Sequence, residues 1–278
     1  MDLAAAAARA AAALRSAKGL VILAGAGMGV DSGLPDFRGD EGFWNAYPPY
    51  RARGASFEEL ANPATFDTDP AFGWGFYGHR LNLYRATVPH GGFAILLRWI
   101  RELSLDSFVV TSNVDGAFQK AGFSPGRIEE IHGTIHVLQC AEHCTADLWK
   151  NDEEVPVDLA TMRALRVPRC PRCGAVARPN ILLFDDGRWL PDRTANQRAR
   201  YTAWQAALGD QPLLVVELGA GTAIPSIRNA TRRLSQRPGT TAVRINPREP
   251  EIAAPHLSLA AGALAGLQAI DAALQVGS

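Results

Sequence analysis

The four cysteines of the chain form two close pairs, and no other thiol is present. Three residues separate Cys140 from Cys144, 25 residues follow, and two residues separate Cys170 from Cys173. Four thiolates spaced in this way form tetrahedral zinc sites, whereas disulfides are rare in a reducing compartment. The pattern therefore predicts one structural zinc ion, with no open position for catalysis. His143 in place of Cys144 as the fourth ligand, or buried thiols without a metal, are the alternatives.

Two short apolar runs end in residues of the types that perform acid–base chemistry. The run 108–110 opens into a polar stretch, and the run 128–131 leads directly to His132. The stretch after the first run contains Ser112, Asn113, Val114 and Asp115. An imidazole with its ordinary pKa near ~6.5 can accept a hydroxyl proton at neutral pH, and an amide with a carboxylate can hold a polar ligand. Taken singly, Asn113 and Asp115 also suit the cap of a turn, and His132 a hydrogen-bonded core histidine.

Glycines directly follow the first apolar run, Leu20 to Ala24. The turn consists of Gly25, Ala26 and Gly27. Backbone amides of such a turn can approach a pyrophosphate because no Cβ obstructs them. A glycine-rich turn alone is common to many nucleotide-binding folds. The tail at 34–38, Leu-Pro-Asp-Phe-Arg, makes this one specific.

With that tail, the segment resembles the signature of the sirtuins, the family of NAD-consuming protein deacylases. Sirtuins carry, in order, this turn, a Thr-Gln-Asn-Ile-Asp stretch, a catalytic His-Gly and four zinc cysteines. An Arg-Pro strand that ends in Phe-Gly-Glu, a Gly-Thr-Ser turn and a strand that ends in Asn come later. The chain has counterparts of all of these in the same order, over about residues 20 to 250. The later counterparts lie at residues 178–186, 219–223 and 244–246.

The resemblance implies an NAD site and a role for each of its walls. The glycine turn would line the pyrophosphate, the tail would lie beside the nicotinamide ribose, and the later turns would contact the adenosine. His132 would be the general base for a ribose hydroxyl, and Asn113 with Asp115 would form the nicotinamide pocket. The cofactor residues implied in this way are Gly25, Ala26, Gly27, Asp36, Phe37, Arg38, Ser112, Asn113, Val114, Asp115, Gly219, Gly221, Thr222 and Asn246.

The resemblance also implies an acyl-lysine protein or peptide as the substrate. The family binds its peptide as an added strand, so Leu182, Phe184 and Asp185 are candidate substrate residues. In sirtuins that remove succinyl and malonyl groups, a Tyr-x-x-Arg pair recognises the acyl carboxylate, and Tyr77 and Arg80 have this spacing. The alternative for that pair is a core tyrosine and a surface arginine.

The sequence departs from the family pattern near the predicted ligands. Ala24 and Gly29 replace the usual Thr and Ser, while Ser112 replaces Gln and Asp185 replaces the Gly of Phe-Gly-Glu. The leading hypothesis is an NAD-dependent protein-lysine deacylase, a deacetylase that extends to desuccinylation or demalonylation, which releases nicotinamide and O-acyl-ADP-ribose. Ser112 and Asp185 keep a mono-ADP-ribosyltransferase or NAD glycohydrolase as the alternative. A non-catalytic sensor of NAD or ADP-ribose is a third hypothesis.

Short apolar segments alternate with helical ones along the chain. This alternation predicts an α/β fold, a Rossmann-like parallel sheet with helices on both faces, plus a small zinc-ribbon and helical domain. We expect strands at 20–24, 108–110, 128–131, 181–184, 213–218 and 242–245. We expect helices at 3–17, in pieces over 57–86, at 92–103, at about 193–208 and over the last 20 residues.

The two predicted domains interleave along the chain. Residues 1–45, 87–137 and 178–278 would form the NAD-binding domain. A helical module with a cofactor loop at 46–86, and a zinc-binding insertion at 138–177, would form the small domain. The insertion holds all four cysteines and has too few apolar residues for a core of its own.

The charge balance argues against two broad classes of partner. Lys+Arg and Asp+Glu both number 28, so no general attraction to nucleic acid or to an anionic membrane is expected. No apolar run approaches the roughly 20 residues that span a bilayer. Arg9 interrupts the alanine-rich start, where we expect a helix and not a signal peptide. We therefore expect a cytoplasmic protein, whose oligomeric state no motif indicates.

Overall fold

The computed structural model describes residues 2–35, 47–52, 54 and 56–276. Three predicted cofactor residues, Asp36, Phe37 and Arg38, lie outside the described residues. In chain order the strands are β1 (Gly19–Ala24), β2 (Asp106–Thr111), β3 (Ile128–Glu130), β4 (Gly133–Cys140), β5 (Trp149–Lys150), β6 (Val157–Asp158), β7 (Arg163–Ala164), β8 (Ala177–Ile181), β9 (Leu213–Leu218), β10 (Thr240–Ile245) and β11 (Leu257–Leu259).

Helices occupy about half of the remaining described residues. They are α1 (Leu3–Ser16), α2 (Gly27–Val30), α3 (Pro48–Ala52), α4 (Phe57–Leu60), α5 (Ala64–Thr68), α6 (Pro70–Ala86), α7 (Gly91–Glu102), α8 (Ala117–Lys120), α9 (Asp192–Leu208), α10 (Ser226–Ser235) and α11 (Ala263–Val276). Among the described residues, no helix is both long enough and apolar enough to cross a membrane.

Six parallel strands form the central sheet in the order β11-β10-β9-β1-β2-β3. Successive side chains of a strand point to opposite faces, so a sheet covered on both sides has strands that are apolar throughout. Leu20 and Ile22 pack with α1, α7 and α11, while Val21 and Leu23 pack with α9 and α10. Both faces are therefore buried, which confirms the predicted α/β fold class.

A separate apolar cluster joins the helical pieces before residue 86 to the cysteine-containing insertion. Trp74 of α6 packs near Val155 and Met162, and its indole Nε1 donates to the Ala177 carbonyl at 2.7 Å. Gly75 allows the close approach, because a Cβ there would lie 1.9 Å from the Met162 carbonyl oxygen. These contacts agree with the predicted small domain, whose boundaries remain a prediction.

The apolar pattern misplaced one strand and missed five others, the longest of which is β4. The strand expected at 181–184 lies at β8 and ends at Ile181, and β4 was not expected at all. In β8, Arg178 and Asn180 are buried: Arg178 pairs with Asp186, and Asn180 donates to Gln139 Oε1 of β4 at 2.9 Å. Because polar side chains of these strands are buried with polar partners, apolar periodicity does not mark them.

Candidate active site and metal centre

A cavity of about 540 Å³ lies at the carboxyl ends of the central strands. From β1 the chain builds the sheet outward through β2 and β3 on one side, and β9 to β11 lie on the other. Ligands of open α/β sheets bind at such a reversal, because the loops diverge there and leave a crevice. Gly25 after β1, Ser112 after β2, His132 after β3 and Gly219 after β9 all line the cavity.

Most of the predicted site residues converge on this cavity. Those that line it are Gly25, Ala26, Tyr77, Arg80, Ser112, Asn113, Val114, Asp115, His132, Leu182, Phe184, Gly219, Gly221 and Thr222. Three others, Gly27, Asp185 and Asn246, are not among the described residues of its wall. The individual roles of all these residues remain predictions.

Glycines bring the turns after β1 and β9 into backbone contact. A Cβ on Gly219 would lie 2.3 Å from the Gly27 carbonyl carbon, and Gly219 has a φ of +60°, which other residues adopt only with strain. The Gly25 amide donates to the Leu218 carbonyl at 2.9 Å, and the Gly27 amide donates to the Gly219 carbonyl at 3.0 Å. These two amides therefore join the turns to each other, a use that the sequence did not indicate.

His132 stands in the cavity wall immediately after β3. Burial lowers its pKa, and a hydrogen bond with the Ser112 backbone partly offsets this effect. The imidazole is therefore neutral at pH 7 and able to accept a proton. Its Nε2 lies 3.4 Å from the Ser226 hydroxyl at the start of α10. No local sequence pattern points to Ser226, because 94 positions separate the two residues.

Asn113 and Asp115 are fixed by bonds to neighbouring backbone. The side-chain amide of Asn113 donates to the Gly25 carbonyl at 3.0 Å, and the backbone amide of Asn113 donates to Thr111 Oγ1 at 3.0 Å. Asp115 Oδ1 accepts from the Ala117 amide at 2.8 Å. Burial raises the pKa of Asp115 to about 6. The pair places an amide and a half-buried carboxyl in the cavity wall.

Arg80 enters the cavity wall from α6 and is surrounded by aromatic rings. It is 8% exposed, so the alternative of a surface arginine is wrong. Its guanidinium carbon lies 5.0, 5.9 and 5.4 Å from the ring centres of Phe76, Tyr77 and Tyr84. Nε and Nη2 donate to the Tyr84 hydroxyl at 2.9 and 2.6 Å. Sequence reasoning missed Tyr84, which follows Arg80 by one helical turn and could have been found by that spacing.

The segment after β8 forms another wall of the cavity. Leu182 and Phe184 line it and are 40% and 37% exposed, whereas Asp185 is exposed outside it. Asp185 has a φ of +54°, a left-handed conformation that Asp tolerates better than most residues. The next residue, Asp186, forms a bidentate pair with Arg178 at 2.8 and 2.9 Å, and both side chains are buried. With its φ of +54°, Asp185 has the backbone conformation that a glycine would adopt at this position.

The far end of the cavity includes one acidic residue that sequence reasoning missed. Asn246 is fully buried, donates to the Ala220 carbonyl at 2.9 Å and accepts from the Arg248 and Glu249 amides at 3.0 Å. Glu249 lines the cavity, and its Oε1 accepts from the Thr222 hydroxyl at 2.8 Å. Asn246 thus shapes the loop that brings Glu249 to the wall. A carboxylate three residues after a strand-end Asn was the available sequence signal.

The four cysteine sulfurs form a compact cluster in the insertion. All lie within 4.8 Å of one another, with 3.7 Å between the Sγ atoms of Cys140 and Cys173 and 3.6 Å between those of Cys144 and Cys170. Tetrahedral Zn–S bonds of about 2.3 Å place sulfurs about 3.8 Å apart. The cluster therefore fits one zinc ion. His143 directs its Nε2 to the Arg188 carbonyl, so the four thiolates make the complete ligand set.

We expect purified protein to contain one zinc ion per chain. Cys170→Ser should lose the metal and destabilise the fold, because binding energy of a structural zinc ion is folding energy. His143→Ala should retain the metal. Elemental analysis together with thermal unfolding, with and without a chelator, measures both effects. Loss of zinc in the His143 variant would contradict the four-thiolate assignment.

Asp115→Asn should stabilise the protein at high pH. The folded-state pKa of about 6 exceeds the ordinary 3.8, so the fold favours the neutral carboxyl and the buried charge is a cost above pH 6. Asn keeps an acceptor for Ala117 and carries no charge. We expect a gain of up to about 3 kcal/mol in the free energy of unfolding at pH 8, which declines below pH 6 and is absent below about pH 4.

Urea unfolding at several pH values measures this gain. Asp152→Asn, at an exposed loop carboxylate, is the matched control and should show no such pH-dependent gain. A stabilisation by Asp115→Asn that is equal at pH 4 and pH 8 would contradict the buried charge as its cause.

Comparison with known proteins places the chain in a family. Residues 25–206 match the sequence model of the Sir2 family. The NAD-dependent protein deacylase of Pyrococcus abyssi is 31% identical over 173 residues, 62% of this chain and 63% of that protein. NAD-dependent protein deacylase 2 of Pyrobaculum aerophilum is 32% identical over 238 residues, 84% of this chain and 81% of that protein. With several such relatives, the chain aligns over only 60–63% of their length.

Solved structures support the same placement at the level of the fold. A Sir2 homologue in complex with ADP-ribose has a TM-score of 0.74 and 24% identity, with 96% of each chain covered. A Sir2 homologue in complex with NAD has a TM-score of 0.74 and 23% identity, with 97% of this chain and 94% of that chain covered. Because the Sir2 sequence model matches more than half of the sequence, the chain belongs to the Sir2 family.

Proposed function

We propose that the protein is an NAD-dependent protein-lysine deacylase that releases nicotinamide and O-acyl-ADP-ribose. One observation carries the proposal: a single cavity at the sheet reversal is lined by a neutral histidine, an amide and carboxyl pair, and the segment predicted to bind peptide. The relatives named above are NAD-dependent protein deacylases, and their similarity covers 62% and 84% of this chain. NAD is the proposed cosubstrate, and acyl-lysine in a protein or peptide is the proposed substrate.

The residues of the cavity suit the proposed NAD site. When bound, NAD supplies a ribose carbon that becomes electrophilic as nicotinamide leaves. Asn113 and Asp115 hold the nicotinamide amide, because they offer both donors and acceptors in a buried pocket. His132 takes the proton of a ribose hydroxyl, because its pKa is lowered and its ring is neutral at pH 7. Thr222 and Glu249 face the adenosine end.

The substrate peptide lies as an added strand against Leu182 and Phe184. The backbone amides of these two residues donate to the carbonyls of His132 and Ala61, at 2.9 and 2.8 Å. Because amides of an extended segment alternate between its two edges, the intervening Leu183 amide lies on the opposite edge, where it contacts Asp186 Oδ2 at 3.4 Å. The exposed side chains of Leu182 and Phe184 pack against the apolar stem of the acylated lysine.

The division of the chain supports this arrangement. We assign residues 1–45, 87–137 and 178–278 to the NAD-binding domain, and 46–86 with 138–177 to the small domain. We assign the zinc ion a structural role in the small domain, because a closed four-thiolate site leaves no position for a reactant. The small domain in turn supplies Tyr77 and Arg80 to the cavity. A cytoplasmic location remains a proposal.

The alternative, a mono-ADP-ribosyltransferase or NAD glycohydrolase, rested on Ser112 and Asp185. Asp185 keeps a left-handed conformation and its neighbour Asp186 is held by Arg178, so the peptide-binding segment is not disrupted. The Ser112 backbone amide donates to the Ala24 carbonyl at 3.0 Å, so the backbone at Ser112 still pairs with the carboxyl end of β1. Neither departure removes a residue on which deacylation depends.

Product analysis with NAD and acyl-lysine peptides tests the proposal. We expect O-acyl-ADP-ribose only when acyl-peptide is present, and at least a ~100-fold loss of deacylation in His132→Ala, as for loss of a general base. His256→Gln, at a histidine that accepts a hydrogen bond from the Ala242 amide far along the sheet, is the matched control and should keep activity. Free ADP-ribose or ADP-ribosylated protein without acyl-peptide would favour the alternative, and full activity of His132→Ala would refute the assigned base.

The proposal extends to acyl groups that carry a carboxylate. Arg80 and Tyr77 line the cavity, and Arg80 presents a guanidinium among rings with little water around it. A guanidinium binds carboxylate more strongly in such surroundings, and its planar shape matches the two oxygens. Burial raises the pKa of Tyr77, so its hydroxyl stays protonated and can donate.

Arg80→Met should lower desuccinylation at least ~10-fold more than deacetylation, because only the acidic acyl group loses a charge-assisted hydrogen bond. Arg85→Met is the matched control on the same helix, since Arg85 donates to backbone carbonyls of the insertion and not to this cavity. Its effect on the two reactions should be equal. Equal losses of both reactions in Arg80→Met would end this extension, whereas the proposal of a deacetylase would stand.

A further inference from the structure

Ser226 contacts the proposed base from outside the cavity. Its hydroxyl lies 3.4 Å from Nε2 of His132, the distance of a long, weak hydrogen bond. His132 lines the cavity, whereas Ser226 is not among the described residues of the wall. Ser226 would therefore act on the chemistry through the imidazole.

The position of Ser226 is fixed by its neighbours in α10. Ile227 is 1% exposed and packs in the apolar cluster on one face of the sheet. Arg228 clamps the start of the helix to the turn after β9, because its Nε and Nη2 donate to the Ala220 carbonyl at 3.1 and 3.0 Å. Because Ile227 and Arg228 are held in this way, the start of α10 is fixed and the Ser226 side chain is directed to His132.

A hydroxyl suits a base that must change its protonation state. It can donate to the lone pair of neutral Nε2, and after rotation it can accept from the N–H of the imidazolium. An apolar residue would do neither, and a carboxylate would favour only the charged form. The ring also bonds the Ser112 backbone, so two partners on different strand-end loops hold its plane. Burial removes water from the imidazolium, and the serine hydroxyl replaces water as its hydrogen-bond partner.

We propose that Ser226 is a positioning residue for His132: its hydroxyl holds Nε2 while the site is empty, gives up the single lone pair of that nitrogen to the ribose hydroxyl when NAD is bound, and accepts from the N–H once Nε2 carries the proton. The inference rests on the proposed function, in which His132 is the general base. No bond to carbon is made or broken by Ser226. The proton that leaves the ribose hydroxyl stays on Nε2, and the serine hydroxyl keeps its own.

Two measurements test the inference, and one of them does not require activity. The first is the ¹⁵N NMR signal of Nε2 in protein labelled at its six histidines, assigned with His132→Gln. In Ser226→Ala we expect this signal to shift for His132 alone. The second is the steady-state rate: kcat should fall about fivefold with KM for NAD and peptide unchanged, the size expected for one hydrogen bond.

Ser226→Thr keeps a hydroxyl and should restore both readouts. Ser235→Ala, at the other end of the same helix where the hydroxyl donates to the Thr231 carbonyl, is the matched control and should change neither. An unchanged His132 signal in Ser226→Ala would overturn the contact, and a changed signal with unaltered kcat would overturn its role. Absence of deacylation in the wild-type protein would instead refute the proposed function, while the NMR signal still decides the contact.

Discussion

The backbone contact between the turns after β1 and β9 is the constraint on which the site depends. Only glycine at positions 27 and 219 lets these turns approach, because a Cβ on Gly219 would lie 2.3 Å from the Gly27 backbone. The contact fixes the sheet reversal, and the reversal opens the crevice. The Asn113 side chain extends the arrangement, since it donates to the Gly25 carbonyl and so ties the end of β2 to the same turn. Positions of catalytic groups therefore follow from backbone packing.

Each reactive side chain is held by a loop from a different strand. Asn113 of the β2 end bonds the β1 turn, and His132 of the β3 end meets the Ser112 backbone and the first residue of α10. Such cross-bracing limits rotamers, which is what preorganised acid–base chemistry needs. It also means that a change in one strand-end loop displaces groups that belong to others.

Two sets of buried or half-buried charged side chains lie at or beside the site. Asp115 carries a raised pKa at the cavity, and Arg178 with Asp186 forms a buried bidentate pair beside the segment proposed to bind the peptide. Buried pairs add little net stability compared with apolar residues, but removal of one partner is costly. We therefore infer that the pair of Arg178 and Asp186 fixes the conformation of residues 182–186 and adds little to stability. The Asp115 carboxyl, by contrast, lowers stability in favour of a polar ligand, as active sites often do.

The sequence by itself determined the fold class, the zinc ligands and most of the cavity wall, because these depend on local spacing: apolar runs that end in glycine or polar residues, and cysteines in close pairs. Only the tertiary structure decided that the Gly25 and Gly27 amides bond the β9 turn, that Arg80 is buried, and that β8 carries a buried Arg. It alone brought Ser226 to His132 and Glu249 to the cavity. These contacts join residues far apart in the chain, and their polar side chains are buried only because partners from other elements satisfy them, which no local pattern records.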